Sequence, residues 1–269
     1  RPQDVKAAEP DNAARKRRGV AVEILGPDEV RQLIPALGPD MAGGALATQS
    51  GHATSPLALS QLLAAQIESA GGTFVRAEVS GFTIGADGPS HVRTDQGEIA
   101  IEDVVIAAGA FSKPLAAALG NTVPLDTERG YHMMLPQPQI EIRVPMLISS
   151  LGFGVTPMDD GLRLAGTVEF GGLKAPPDYR RADIILAHAK RLFPDLGEEG
   201  AEPWMGHRPS MPDSLPVISR SSRFDRVFYA FGHGHLGLSL GAVTGRLIAD
   251  LVEGRPSDID PAPFRADRF

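Results

Sequence analysis

Residues 230–241, AFGHGHLGLSLG, place four glycines and two histidines between two ordered patterns. Before them, RVFYAFG (226–232) is apolar from Val227 to Phe231 and reads as a buried strand. After them, Leu240, Val243, Leu247, Ile248 and Leu251 recur on one helical face, and Gly254 stops it. A strand, a small-residue turn and a helix bring the helix's first N–H groups to a sheet edge. Their dipole favours negative charge there, and glycine lets a flat ligand approach the backbone. Gly232, His233, Gly234, His235, Leu236, Gly237, Leu238 and Ser239 are therefore candidates for cradling a ligand that is anionic or gains electrons. On this stretch alone, a glycine-rich turn without a ligand is an equally good reading.

A second unit of the same kind lies at residues 103–112, DVVIAAGAFS. Its apolar run suits a strand buried on both faces of a parallel sheet. The run ends at Ala108 and Gly109, and Ser112 with Pro114 opens a helix. Strands of α/β sheets offer ligand sites at such ends. Other chemistries lack their residues. The chain has no Cys, which excludes disulfides and thiolate nucleophiles. No G-x-S-x-G elbow is present for a serine hydrolase. No His/Asp/Glu set has metal-ligand spacing, and no metal is expected. His52 and His207 have no assigned role, and Glu169 is read equally as a pocket residue or a solvent-facing one.

The elements that must position these turns follow from periodicity. Residues 26–37 read as a short helix closed by Pro35. Residues 43–56 read as a strand and a loop, with Ser55 as N-cap and Pro56 as the first helical residue. Leu59, Leu62, Leu63, Ile67 and Ala70 form one face of the helix that follows, ended by Gly71-Gly72. Residues 73–82 read as a strand, followed by a hairpin region. From Val123 the character changes to short β-like runs (RGYHMML, PMLISS, FGVTPM, LRLAGTVEF) that predict an antiparallel sheet, inserted as a second domain. Residues 179–193 predict a helix, and the Pro-rich residues 204–221 an irregular segment. The basic run at residues 15–18, before Gly19, reads as the last turn of a helix.

With 269 residues the chain can bury one large or two ordinary cores, and its net charge of −7 makes nucleic acid an unlikely partner class. No run reaches the ~20 apolar residues of a membrane span, and no signal peptide is visible. Because it starts at Arg1 rather than Met, the chain is expected to be a piece or a processed product.

Five blocks in order give the chain a family likeness: SGHATSPLAL, VIAAGAFSKPL, TERGYHMML, GLRLAGTVEF, and WMGHRPSMPDSLPVI followed by YAFGHGHLGLSLGAVTGRLIADL. Together they resemble the FAD-dependent D-amino acid dehydrogenase and glycine oxidase family, which shares the D-amino acid oxidase fold. The resemblance implies an α/β architecture, in which a Rossmann-like FAD-binding domain (52–122 and 207–269) carries an antiparallel-sheet substrate domain (19–51 and 123–206). It implies FAD, held at Val79, at Ala108 and Gly109, and along residues 232–239. It implies a substrate site of Arg208, gripping a carboxylate, with His235, Tyr131 and His132. No side chain is assigned as a catalytic acid or base.

The implied reaction is oxidative deamination of a D-amino acid or related secondary amine, by hydride transfer to flavin N5. The electrons would pass to a quinone, and the location would be cytoplasmic or peripheral at the inner membrane face. The family opens with a strand, a G-x-G-x-x-G turn and a helix that hold the diphosphate. That unit is expected to be missing here, leaving the FAD-binding domain incomplete. A second chain supplying the loop is one expectation. A truncated or partner-dependent piece, with no FAD binding or activity of its own, is the alternative.

Overall fold

The computed structural model describes residues 2–269. In chain order the first elements are α1 (Pro2–Ala7), α2 (Glu9–Arg17), β1 (Val22–Leu25), α3 (Pro27–Leu33), β2 (Gly44–Ala47) and α4 (Pro56–Ser69). Next come β3 (Val79–Gly85), β4 (Gly88–Thr94), β5 (Gly97–Ala100), β6 (Val104–Ile106), α5 (Ser112–Ala118) and β7 (Asp126–Leu135). The remainder is β8 (Met146–Ile148), β9 (Phe153–Met158), β10 (Gly161–Glu169), α6 (Arg180–Leu192), β11 (Glu202–Ser210), β12 (Val217–Arg220), β13 (Val227–Phe231) and α7 (Gly237–Glu253). No described helix is long and apolar enough to cross a membrane.

The chain forms two compact units. One comprises residues up to Ser60, Gly130–Val168 and Pro176–Gly206; the other comprises Gln61–Arg129, Glu169–Ala175 and His207–Phe269.

The first unit is built on a sheet of order β11-β7-β10-β9-β8. Strand alternation gives it one apolar face. Tyr131, Met133 and Leu135 of β7, Leu162 and Leu164 of β10, and Phe153 and Val155 of β9 are all buried in one core. Residues α3 and α6 bring to that core are Val30 and, at helical spacing, Ala182, Ile185 and Ala189. In the β9–β10 hairpin Gly166 pairs with Phe153, and a Cβ there would stand 2.8 Å from that of Phe153. α3 ends at Leu33, before the Ile34-Pro35 step, because the residue preceding proline avoids helical backbone.

The Pro-rich residues 204–221 are more ordered than the sequence suggests, since they supply most of β11 and all of β12. β11 lies at the edge of its sheet, where Pro203 and Pro209 can lack an N–H without breaking a central ladder.

The second unit holds a three-stranded sheet of order β12-β13-β6 and a separate meander of order β3-β4-β5. β12 pairs with β13 antiparallel, and β13 pairs with β6 in parallel, with Val227 opposite Val104 and Tyr229 opposite Ile106. Ser219 of β12 is buried, and its hydroxyl accepts the Ala266 amide at 3.1 Å. The strand expected over residues 73–82 begins only at Val79. Among the described residues no neighbouring strand pairs with 73–78, and Phe74 and Val75 are exposed. α4 starts as anticipated, with the Ala58 amide donating to Ser55 Oγ at 3.2 Å. Its apolar face, however, stays in solvent: Leu57 is 69% and Leu62 60% exposed.

A polar cluster ties the second unit together. Asn121 Oδ1 accepts from Ser221 Oγ at 2.6 Å and from Tyr229 Oη at 2.9 Å, while its Nδ2 donates to Ser222 Oγ at 2.8 Å. Burial raises the Tyr229 pKa, so the phenol stays a donor. Asn121→Ala leaves two buried hydroxyls without an acceptor. At ~1–3 kcal/mol for an unsatisfied buried group, it is expected to lower unfolding free energy by about 2–3 kcal/mol, read from the urea midpoint. An unchanged midpoint would contradict this role.

Candidate functional site

The parallel β6–β13 pairing decides where the site lies. Both strands end on the same sheet edge, so the Ala108-Gly109 turn and the turn entering α7 leave from that edge. Gly109 is in the left-handed region at φ 55°, with nothing within 4 Å of where its Cβ would be. Gly232 has φ 86°, and a Cβ on it would meet Met211 Cγ at 2.8 Å. α7 begins at Gly237 with no side-chain cap on its first turn. Its first backbone N–H groups therefore face outward from the helix end, and Leu236 to Ser239 are exposed. Open glycine backbone beside an uncapped helix N-terminus fits the electron-accepting edge of a flavin.

Gly232, Gly234 and Gly237 have G-x-G-x-x-G spacing between a strand and a helix, contrary to the expectation that no such turn occurs here. The Gly234 N–H is already committed to Pro209 O at 2.7 Å. The segment thus offers a helix end and open backbone rather than a complete diphosphate cradle.

The two histidines diverge. His233 points inward, its Nε2 2.9 Å from Thr244 Oγ1, which joins the turn to the third turn of α7. Burial lowers its pKa, so the ring is neutral near pH 7. His235 points outward, 57% exposed, with Nε2 3.4 Å from a Glu128 carboxylate oxygen.

Arg208 is half-buried on β11. Beside it in sequence, His207 has Nδ1 3.4 Å from Thr127 Oγ1 and sits edge-on to Phe111, with ring centroids 6.0 Å apart. Burial, and then the charge of Arg129, lowers the His207 pKa. Val79 opens β3 in the separate meander, so the structure does not place it in the sheet that carries the two turns.

Arg129 was not singled out by its motif, TERGYH. It is fully buried, donating from Nε to Gly172 O and from Nη2 to Ala175 O, both at 2.7 Å. Its Nη1 lies 3.6 Å from Glu169, which is thereby a partner of a buried cation rather than a free strand carboxylate. A Cβ on Gly171 would stand 2.9 Å from the guanidinium. Arg129 so holds the loop at residues 169–175, one wall of a cavity of about 410 Å³ that also touches Lys113, Asp126 and Thr127. Its position in phase with Tyr131 and Met133 was the available signal, since a charged residue in an apolar phase must be paired when buried.

In the first unit, adjacent residues of β7 part company. Tyr131 is buried in the core, where its hydroxyl accepts the Asp178 amide at 3.0 Å and its ring meets Tyr179 edge-on. It is a core residue, not part of an open surface. His132, of opposite phase, stacks on Trp204 of β11, with centroids 4.9 Å apart and planes 21° from parallel. Burial, then the charge of Arg163, lowers its pKa from 6.5 to about 4, against a smaller opposing pull from Asp160.

Because the folded pKa of His132 lies below the unfolded one, the unfolded chain takes up this proton first. Its contribution to stability is intact above about 6.5 and is lost as pH falls towards about 4. His132→Phe keeps an aromatic ring and removes the titration. Its unfolding midpoint is expected to fall less between pH 6.5 and 4 than that of the wild type. Parallel decline in the two proteins would remove His132 from the balance.

Comparison with known proteins agrees with this geometry. Residues 2–251 match the family model described as DAO, FAD dependent oxidoreductase. A D-amino-acid oxidase of Bradyrhizobium diazoefficiens is 41% identical over 95% of this chain and 62% of its own length. A D-amino acid dehydrogenase of Paramagnetospirillum magneticum is 36% identical over 90% of this chain and 59% of its own. Among solved structures, glycine oxidase from Geobacillus kaustophilus superposes with a TM-score of 0.81 at 28% identity, covering 95% of this chain and 69% of that one. The chain thus spans about three fifths of the length of the two curated relatives. These matches favour the flavin-oxidoreductase reading over that of an inert piece. Residues 2–251 place the chain in the DAO family of FAD-dependent oxidoreductases.

Proposed function

We propose that this chain is the flavin-cradling and substrate-handling part of an enzyme that oxidatively deaminates a D-amino acid or a related secondary amine. The observation that carries the reading is the shared sheet edge, where the Ala108-Gly109 turn and the uncapped start of α7 leave side by side from parallel strands. The names borne by its relatives, D-amino-acid oxidase and D-amino acid dehydrogenase, support the substrate class. In this reading Val79, Ala108, Gly109 and residues 232–239 contact FAD. When bound, FAD supplies the two-electron acceptor.

The chain's own residues bind and orient. Arg208 holds the substrate carboxylate through paired hydrogen bonds, which fixes the direction of the Cα–H bond. In this reading His235, beside Glu128, contacts the substrate, as do His132 and Tyr131 of β7. The neutral His233 braces the α7 turn. The amine loses two electrons and two protons to become an imino acid, which water hydrolyses to an oxo acid and ammonia, or a primary amine where the substrate is a secondary amine. A second chain supplies the glycine-rich loop that grips the diphosphate, a reading supported by the commitment of the Gly234 N–H to Pro209 O. We assign a quinone as the final acceptor and the cytoplasm, up to the inner membrane face, as the location.

The test is a purified protein carrying flavin absorption that yields an oxo acid from a D-amino acid and not from its L enantiomer. A colourless protein that FAD cannot reconstitute, even with the full-length chain, would sink the proposal. In the active enzyme Arg208→Lys should weaken catalysis strongly, since an ammonium keeps the charge but loses the fork. Arg208→Ala should nearly abolish it with flavin retained. Loss of one partner of a buried charged pair costs ~2–5 kcal/mol, or roughly 30- to 4,000-fold in kcat/KM. Release of flavin with unchanged turnover per bound flavin would make Arg208 a structural clamp.

A further inference from the structure

Three segments far apart in sequence close on one another in the second unit. The His207 imidazole, near the end of β11, reaches Thr127 Oγ1, near the start of β7, at 3.4 Å. The Gly234 amide, in the turn before α7, donates to Pro209 O at 2.7 Å. One residue on, His235 Nε2 lies 3.4 Å from Glu128 Oε2. These contacts run from β7 to β11, from β11 to the turn, and from the turn back to β7, so each segment is held by the other two. His235 and Arg208 directly adjoin the two residues that share the Gly234–Pro209 bond.

Strand pleating sorts the side chains. β7 and β11 are neighbours in one sheet, and successive side chains of a strand leave on opposite faces. Thr127 and His207 meet, so they share one face. Glu128 and Arg208, each one residue on, share the other. A carboxylate, an imidazole in contact with it and a guanidinium are thereby gathered where the three segments join. The charged and titratable groups on those segments are Asp126, Glu128 and Arg129 of β7, His207 and Arg208 of β11, and His233 of the turn. His233 is engaged with Thr244, and Arg129 with the carbonyls of residues 172 and 175. Glu128 is the group in contact with His235, and more than half of the His235 side chain is exposed. An ionised carboxylate only accepts, so the imidazole nitrogen facing Glu128 is the one that carries the proton, and Nδ1 keeps its lone pair.

We propose that His235 accepts a proton from the substrate ammonium while Arg208 holds the carboxylate, and that Glu128 is the positioning residue that keeps His235 ready to do so. The proposal rests on the oxidoreductase reading above. An α-amino acid carries both ionic groups on one carbon, which suits a guanidinium and an imidazole on adjoining segments. One N–H bond of the ammonium breaks, its proton forms the N–H bond at His235 Nδ1, and its electron pair stays on the substrate nitrogen. That pair makes the C=N bond as the Cα hydride leaves for the two-electron acceptor. The new positive charge on the imidazole has the Glu128 carboxylate as its partner.

Two nearly isosteric acids test the pair without turnover. 2-Methylalanine has an ammonium but no Cα–H to lose, and isobutyrate lacks the nitrogen. With FAD present, the chain should bind 2-methylalanine about tenfold tighter than isobutyrate by calorimetry, and Glu128→Gln should lose that preference. In the active enzyme His235→Ala should lower kcat/KM for D-alanine about a hundredfold at neutral pH. The deficit should shrink at alkaline pH, where the free substrate is already a neutral amine and needs no acceptor. Added imidazole should restore part of the rate, which a merely structural role would not allow. Glu128→Gln should fall between His235→Ala and the wild type. A Glu128-dependent binding preference without turnover would leave the pair standing and remove the activity. Turnover with a preference unaltered in Glu128→Gln, or with a His235→Ala deficit equal at neutral and alkaline pH, would overturn the pair and leave the activity. Neither preference nor turnover would remove both.

Discussion

Parallel pairing of β6 with β13 is the constraint on which the site depends. Parallel neighbours end on one edge, so two turns far apart in sequence leave together and no loop has to reach across. β6 is only three residues long, and its register has few hydrogen bonds to hold it. Burial supplies the rest: Val227, Tyr229 and Phe231 are almost fully enclosed, as are Ile106 and the nearby Leu119 and Val123. The Asn121 cluster adds direction to that burial, because hydroxyls in a low-dielectric interior accept one geometry and are costly in any other.

Arg129 performs a comparable service at residues 169–175. At the Gly171-Gly172 pair the loop offers no side chain of its own, and a buried guanidinium takes the carbonyls of Gly172 and Ala175 while pairing with Glu169. Burial lowers the pKa of His207, and the same positive charge adds to it without touching the ring.

Much of this was legible in the residues. The helices α6 and α7 and the strands β7 to β10 follow from apolar spacing of 3.6 or 2, because each buries a single face. Legibility failed where partners decide the outcome. Proline content argued against β11 until its edge position was known. The face of α4 reads as buried, and nothing in its own sequence reveals that it is solvated. Residues 73–78 have strand composition without a strand beside them. At the site, the two turns were readable from their small residues, and the glycine spacing at 232–237 was present but passed over. The Trp204–His132 stack was not readable, since it joins side chains on neighbouring strands across a glycine that sequence cannot orient.

The Asn121 cluster also bears on how the chain reaches this state. Asn121 and its partners Ser221 and Tyr229 are separated by 100 and 108 residues, and β6 waits longer still, since Val104 pairs with Val227. Contacts of such separation form late, after the loop-closure entropy has been met. The hairpins β8–β9–β10, by contrast, close within a few residues of their turns. During synthesis the inserted sheet can therefore assemble while β6 still waits for β13. In that interval both edges of β6 are open, against one in the finished sheet among the described residues, and it lengthens with every residue placed between β6 and β13.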